Sequence, residues 1–314
     1  MKPSVNLEVR PEVKLAVKPG VLVVSHGSRE ADWVRLVDDA VAACSALMGS
    51  EVPVVSAFLE LVEGRLIQDG VNALEAEDVT DLYVLPLFVS SGSTHVDDIA
   101  QAFGMAPVSA TRAGELEPFA VREGMRVRFG APIDDDGDIA ELLLRNIEGL
   151  SSEAAWELGA AREGALGAGA EPVRRRERLL LVAHGSREAV FHGRWRDGMA
   201  ALAERVRELG GFAGAHSAML LPNQAACKLG ALQRRYPDDA FIVVPLFLSE
   251  GFFTRTVIPT RLAGLNYRYN GRALLPSPQI ARWMERQIRE WLRDLDDIDK
   301  MDDMGSAGSG SLGS

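Results

Sequence analysis

The sequence predicts an α/β protein of two tandem domains, each a mostly parallel central sheet flanked by helices and related to the other by pseudo-twofold symmetry. The segment LVVSHGSREA at 22–31 returns as LLVAHGSREA at 180–189, and LPLFVS at 85–90 returns as VPLFLS at 244–249. The matches stand 158 and 159 residues apart, a near-constant offset that marks a duplicated unit. Within each copy, short apolar runs alternate with stretches of helical periodicity, the rhythm of a parallel sheet covered on both faces.

Each element follows from local chemistry. Residues 1–20 alternate around Val5, Leu7 and Val9 and again around Val13, Leu15 and Val17, an N-terminal extension suited to a short hairpin or added edge. The first domain, 21–150, opens with a buried strand at Val21–Ser25, followed by a helix from about Ala31 to Leu47 and a strand near Val52–Leu59. A helix near Arg65–Leu74 and a strand at Leu82–Phe88 lead into the loop SSGSTH. A helix over Val96–Phe103 has Asp97 and Asp98 in its first turn, where carboxylates suit the helix dipole. A strand at Val127–Phe129 and a helix at Ile139–Ile147 complete the domain.

Residues 151–178 read as a linker with a peripheral helix, weakened by Gly159, Gly164, Gly167 and Gly169. The second domain, 179–295, repeats the order: strand Leu179–Ala183, helix Phe191–Leu209, strand Ser217–Leu221, helix Gln224–Arg234, strand Phe241–Phe247. A last helix over Ile280–Leu295 carries Trp283 and Trp291 as core contacts. The tail 296–314 is acidic, then Gly/Ser-rich, and reads as solvated.

Lys and Arg total 34 against 45 Asp and Glu, a net charge of -11 that argues against nucleic acid or an anionic membrane as main partner. Cys44 and Cys227 are the two cysteines, both in apolar helical settings, so neither a disulfide framework nor a cysteine metal cluster is indicated and buried thiols are expected. With no apolar leader or bilayer-length run, the expectation is a soluble cytoplasmic protein. No dinucleotide fingerprint or phosphate loop is present, so no nucleotide cofactor is suggested.

The chemistry-bearing residues follow the strands. His26 follows the first strand, Glu60 the second, and His95 lies in the loop after the third. In open α/β sheets ligands bind beyond the carboxyl ends of the strands, so these three can converge. Two imidazoles and a carboxylate suit transient binding of a borderline divalent cation and proton abstraction from a ligand nitrogen. The second copy holds His184, Leu221 and Thr254 at the corresponding places, so the first half is the catalytic candidate and the second the opposing wall. Gly27 and Gly185 permit close backbone approach, and Ser28 and Ser186 cap the following turn; a Ser28 nucleophile is the weaker alternative because no GxSxG elbow is present. SSG at 90–92, with Ser91 and Gly92, and SEG at 249–251 form rims.

HGSR, the FLEL segment with Glu60, and PLF followed by GSTH and an acidic helix entry resemble the sirohydrochlorin cobaltochelatase/ferrochelatase family, the class II tetrapyrrole chelatases, in their two-domain single-chain form. The resemblance covers nearly all of 21–295. It implies insertion of Co2+ or Fe2+ into sirohydrochlorin with release of two protons, in cobalamin or siroheme biosynthesis. It implies His26 and His95 as metal-binding and proton-accepting residues with Glu60 beside them, the metal being a substrate and no cofactor permanent. The polycarboxylated substrate calls for Arg29, Arg187, Arg255, Arg261 and Arg268 around the rim, with Ser91, Gly92 and His184 also placed for contact. His192 and His216 read as surface or packing residues. A noncatalytic tetrapyrrole or metal-binding chaperone is the rival reading; the duplicated fold makes oligomerisation unnecessary for the site.

Overall fold

The computed structural model describes residues 17–151 and 175–308, with the side chains of 175 and 298–308 excluded. The expected N-terminal hairpin and linker helix fall almost wholly outside the described residues.

The first half runs β1 (Pro19–Ser25), α1 (Ala31–Met48), β2 (Val54–Phe58), α2 (Ile67–Ala76), β3 (Asp81–Pro86), α3 (Thr94–Ala102), β4 (Arg126–Phe129) and α4 (Gly137–Ile147). The second half runs β5 (Arg175–Gly185), α5 (Ala189–Gly210), β6 (Phe212–Leu221), α6 (Ala225–Arg235) and β7 (Ala240–Pro245). A π-turn (Phe253–Val257) then passes directly into α7 (Ile258–Arg261), and α8 (Pro278–Gly308) ends the described chain. All pairings are parallel, in the orders β2-β1-β3-β4 and β6-β5-β7. Parallel strands buried on both faces explain the near-continuous apolar runs.

Alternate residues of each strand feed different cores. Val21, Val23 and Leu85 face inward with Leu179, Leu181 and Val244 of the second sheet, in one cluster shared with α1, α4, α5 and α8. Leu22, Val24 and Val84 face outward against α2 and α3, and Leu180, Val182 and Val243 face outward against α6 and α7. The halves exchange helices. The closing helix α8 packs on α1, α4 and β3 of the first half, while α4 reaches α5 and β7 of the second. Tyr83 on β3 stacks with Trp291 of α8, ring centroids 5.0 Å apart and planes 12° from parallel. Trp283 and Trp291 are buried, as expected of core contacts.

Several boundaries differ from the sequence reading. β5 starts at Arg175, taking in part of the expected linker, because its polar first residues have partners: Glu177 pairs with Arg268 at 2.6 Å and Arg178 with Asp239 at 2.5 Å. The helix α8 continues past Leu295 through the acidic segment, where neither Gly nor Pro interrupts it before Gly305. The π-turn and α7 had no sequence expectation. Cys44 is buried, but Cys227 is exposed on α6. Among the described residues no helix is long and apolar enough to cross a membrane.

Candidate active site

The order β2-β1-β3 puts the carboxyl ends of three neighbouring strands side by side, and the chain's progression reverses between β1 and β3. Ligand crevices form at such a switch point. His26 leaves the end of β1, Glu60 lies just beyond β2, and His95 is the second residue of α3, in a helical turn rather than the expected loop. The structure therefore brings all three predicted residues together. The two imidazoles stand nearly perpendicular, with centroids 4.9 Å apart and planes at 78°, and His26 Nε2 lies 3.7 Å from Glu60 Oε1.

Backbone geometry fixes this corner. Gly27 has φ +98, and a side chain there would overlap the Glu60 carbonyl oxygen, so only glycine lets the HGS turn lie against the β2 exit. The Glu60 N–H donates to the His26 carbonyl at 3.1 Å. His26 Nδ1 lies 3.2 Å from the Gly27 carbonyl; protonated there, it donates to that oxygen and leaves the Nε2 lone pair facing out. The Ser28 hydroxyl accepts from the Glu30 N–H, a turn-capping role with no oriented base, which removes the support for a nucleophile.

Sequence reasoning missed the support beneath His95. Arg112, from an irregular loop, donates to Asp98 at 2.6 and 3.0 Å and to Asp97 at 3.2 Å, and both carboxylates are buried. Asp97 also accepts the Val108 N–H and Asp98 the Glu115 N–H, so the loop is laced to the first turns of α3. Across the interlobe seam the Arg112 Nε lies 3.5 Å from Glu188, and its guanidinium sits over the Phe191 ring. Burial holds the His95 imidazole below its ordinary pKa, and the neighbouring His26 pushes the same way, against upward pulls from Asp98, Glu60 and Glu115.

His26 and His95 face a cleft of about 1240 Å³ between the halves, whose far wall carries His184 and Phe253. His184 copies His26 down to the approach of its Nδ1 to the Gly185 carbonyl, 3.1 Å. Leu221 is the counterpart of Glu60: a side chain on Gly185 would press on the Leu221 carbonyl as one on Gly27 would on that of Glu60. The counterpart of His95, however, is not Thr254. It is Phe253, one residue earlier and the first residue of the π-turn, that meets His184 edge-on, centroids 5.2 Å apart and planes at 83°. Thr254 is buried, its hydroxyl bonded to Gly251.

The expected basic rim is only partly present. Arg187 and Arg255 line the cleft, together with Gly92, whereas Glu30, Asp32, Glu188 and Glu250 line it as well. Arg255 is 3.3 Å from Glu250. Arg268 lies at the opposite end of the sheet, beside the start of β7 and paired with Glu177, because the connection after α7 returns the chain to that edge. Arg261 donates to the Leu220 carbonyl at 2.7 Å and does not line the cleft. Arg29 is exposed outside the lining, and Ser91 is outside it too, its backbone N–H donating to Asp134. Gly92 abuts Trp195 and the Phe191 carbonyl, where a side chain would clash, so it closes the interlobe seam. Among the described residues no three His, Cys, Asp or Glu side chains are already arranged to enclose a metal ion.

Two α/β lobes of one design, with a histidine pair on one wall of the cleft between them, define a duplicated two-lobed α/β protein with a site at its seam. The chain belongs to the CbiX family, which it matches over residues 20–150 and 178–291, bearing out the resemblance drawn from HGSR, FLEL and GSTH. Its fold is similar to that of SirB from Bacillus subtilis with Fe3+ (TM-score 0.64, 17% identity, 87% of this chain and 95% of that one). It is also similar to the sirohydrochlorin chelatase SirB from Bacillus subtilis subspecies spizizenii in complex with cobalt (TM-score 0.60, 18% identity, the same coverage of 87% and 95%). DR2241 from Deinococcus radiodurans, a multi-domain protein with structural similarity to chelatases and two additional novel domains, follows (TM-score 0.50, 18% identity, 84% of this chain and 53% of that one). A search of curated proteins found no match.

Proposed function

We propose that this chain inserts Co2+ or Fe2+ into sirohydrochlorin with release of two protons. The observation that carries the reading is the perpendicular pair His26 and His95 at adjacent strand ends, facing a cleft of about 1240 Å³. SirB, whose fold is similar, is described as a sirohydrochlorin chelatase and has been solved with Fe3+ and with cobalt, which supports the same substrates here.

The geometry favours a division of labour. His95, kept neutral by burial, offers a lone pair that takes over part of the incoming cation's hydration. Two imidazoles leave the metal's coordination incomplete, open to water and then to the pyrrolic nitrogens, so the ion is held for delivery. His26 accepts the two ring N–H protons one after the other, and Glu60, 3.7 Å away, stabilises the imidazolium formed each time and passes each proton toward solvent. The carboxylates along the cleft attract the dication; Arg187 and Arg255 receive carboxylates of the macrocycle. The second half supplies a wall without a second histidine pair.

The test is metal insertion followed by absorption spectroscopy under anaerobic conditions, with Fe2+ and Co2+ in parallel against the uncatalysed rate. His26→Ala and His95→Ala should each lower kcat/KM by about 100-fold or more, and Glu60→Gln by less. Wild-type rates in both histidine variants, or a wild-type protein that binds the macrocycle without accelerating insertion, would overturn the proposal; the latter result is what a chaperone gives.

A further inference from the structure

The far wall of the cleft is aromatic where the near wall is histidine. Phe252 and Phe253 are exposed large apolar residues, and Phe252 is 69% exposed, the highest value among the large hydrophobic side chains described. Phe253 stacks on Phe247 with centroids 5.5 Å apart and planes at 15°, and Phe252 stands at 64° to Phe253. All three line the cleft. Phe253 opens the π-turn and Phe252 directly precedes it, and π-turns are found frequently at functional sites.

Resting on the chelatase reading, we propose that Phe252 and Phe253 form a stacking platform for the conjugated face of the macrocycle, opposite His26 and His95. Two adjacent phenylalanines left in water carry a hydration cost that burial against a flat apolar face removes. The patch is concave and lies inside the cleft, which suits a small planar ligand rather than a protein surface. A conjugated ring with ionised carboxylates at its periphery needs an apolar face contact and cationic edge contacts together. Arg255, two residues from Phe253, and Arg187, in the HGSRE turn, supply the edge contacts along the same cleft. With one face of the ring against phenylalanine, the other is presented to the histidine pair, which makes metal entry one-sided. Phe253 in place of a histidine, together with Leu221 in place of Glu60, makes the two halves unequal.

The experiment titrates metal-free sirohydrochlorin into the protein by fluorescence quenching and Co2+ by calorimetry. Phe252→Ala/Phe253→Ala should weaken macrocycle binding about ten-fold or more while leaving Co2+ affinity at the wild-type value. Phe253→Tyr should retain macrocycle affinity, and Phe252→Ala alone, an exposed change that cannot unfold the chain, should lose part of it. Wild-type affinity in the double variant, or a parallel loss of Co2+ affinity, would overturn the platform. If the wild type and all variants insert metal with equal KM, the platform falls and the chelatase reading stands. If the wild type binds the macrocycle, loses it in the double variant and inserts no metal, the platform stands and the chelatase reading falls.

Discussion

His95 titrates below the ordinary imidazole range because its surroundings disfavour a charge, with burial first and His26 second. A metal donor must be unprotonated, so the acid limb of Co2+ binding through His95 should lie below that of an ordinary imidazole, which is half charged at about pH 6.5. In His26→Ala the neighbouring cation is gone, and the His95 pKa should rise, moving that limb toward neutrality. Proton-detected NMR titration of the His95 ring measures this directly; an unchanged pKa in the variant would refute the coupling. The same shift acts on stability. Above the unfolded pKa both states are neutral and His95 contributes nothing unfavourable; as pH falls through the unfolded value toward the lower folded one, the unfolded chain takes up the proton first and the fold loses stability. The three residues at the site were legible because His26 and Glu60 closely follow apolar strands and His95 stands at the helix entry beyond the loop after a third. Phe253 was not: an ungapped comparison of PLFVSSGSTH with PLFLSEGFFT selects Thr254, and a connection one residue shorter leaves no periodic mark. Arg187 and Arg255 do line the cleft, whereas Arg268 was misplaced because composition says nothing about which end of a sheet a loop returns to.

At the scale of elements, the position of His95 is the position of α3, and α3 is held by Arg112. The Asp97 and Asp98 side chains are 1% and 4% exposed and the Arg112 side chain 13%, so the ion pairs are largely desolvated. Removing one partner from such a group leaves uncompensated buried charge. Arg112→Met should cost about 3–5 kcal/mol, read as a drop in the urea midpoint, and should weaken Co2+ binding although Arg112 touches no metal. A variant with the wild-type midpoint and affinity would show that the loop is incidental to α3. The aspartates were legible as helix-entry residues, but their burial was not, because the arginine that makes burial tolerable comes from a loop with neither period nor turn signature. The starts of the long helices and the strands other than β5 and β6, by contrast, were readable from their apolar spacing to within a few residues, since burial on a fixed face is what both the sequence pattern and the packing express.

For the molecule as a whole, the repeat suggests two units folding side by side, and the packing says otherwise. A boundary near residues 151–178 divides the repeated sequence but leaves each half without a helix: α8 covers α1 and β3 of the first half, and α4 reaches across to α5 and β7. The inner faces of both sheets share one apolar cluster, with the Tyr83–Trp291 stack inside it. This exchange was illegible because the periodicity of α8 states that one face is buried, not against which half. Since the lobe bearing His26 and His95 is completed by the far end of the chain, unfolding should be a single transition, with tryptophan fluorescence and far-ultraviolet circular dichroism coinciding across a urea series. Trp291→Ala should lower the stability of that one transition by about 3–5 kcal/mol. It should also weaken Co2+ binding at the first lobe, although the substituted residue belongs by sequence to the second. Two separated transitions, only one of them shifted by the substitution, would mean that the lobes fold independently and that the cleft between them is held by contacts other than the exchanged helices.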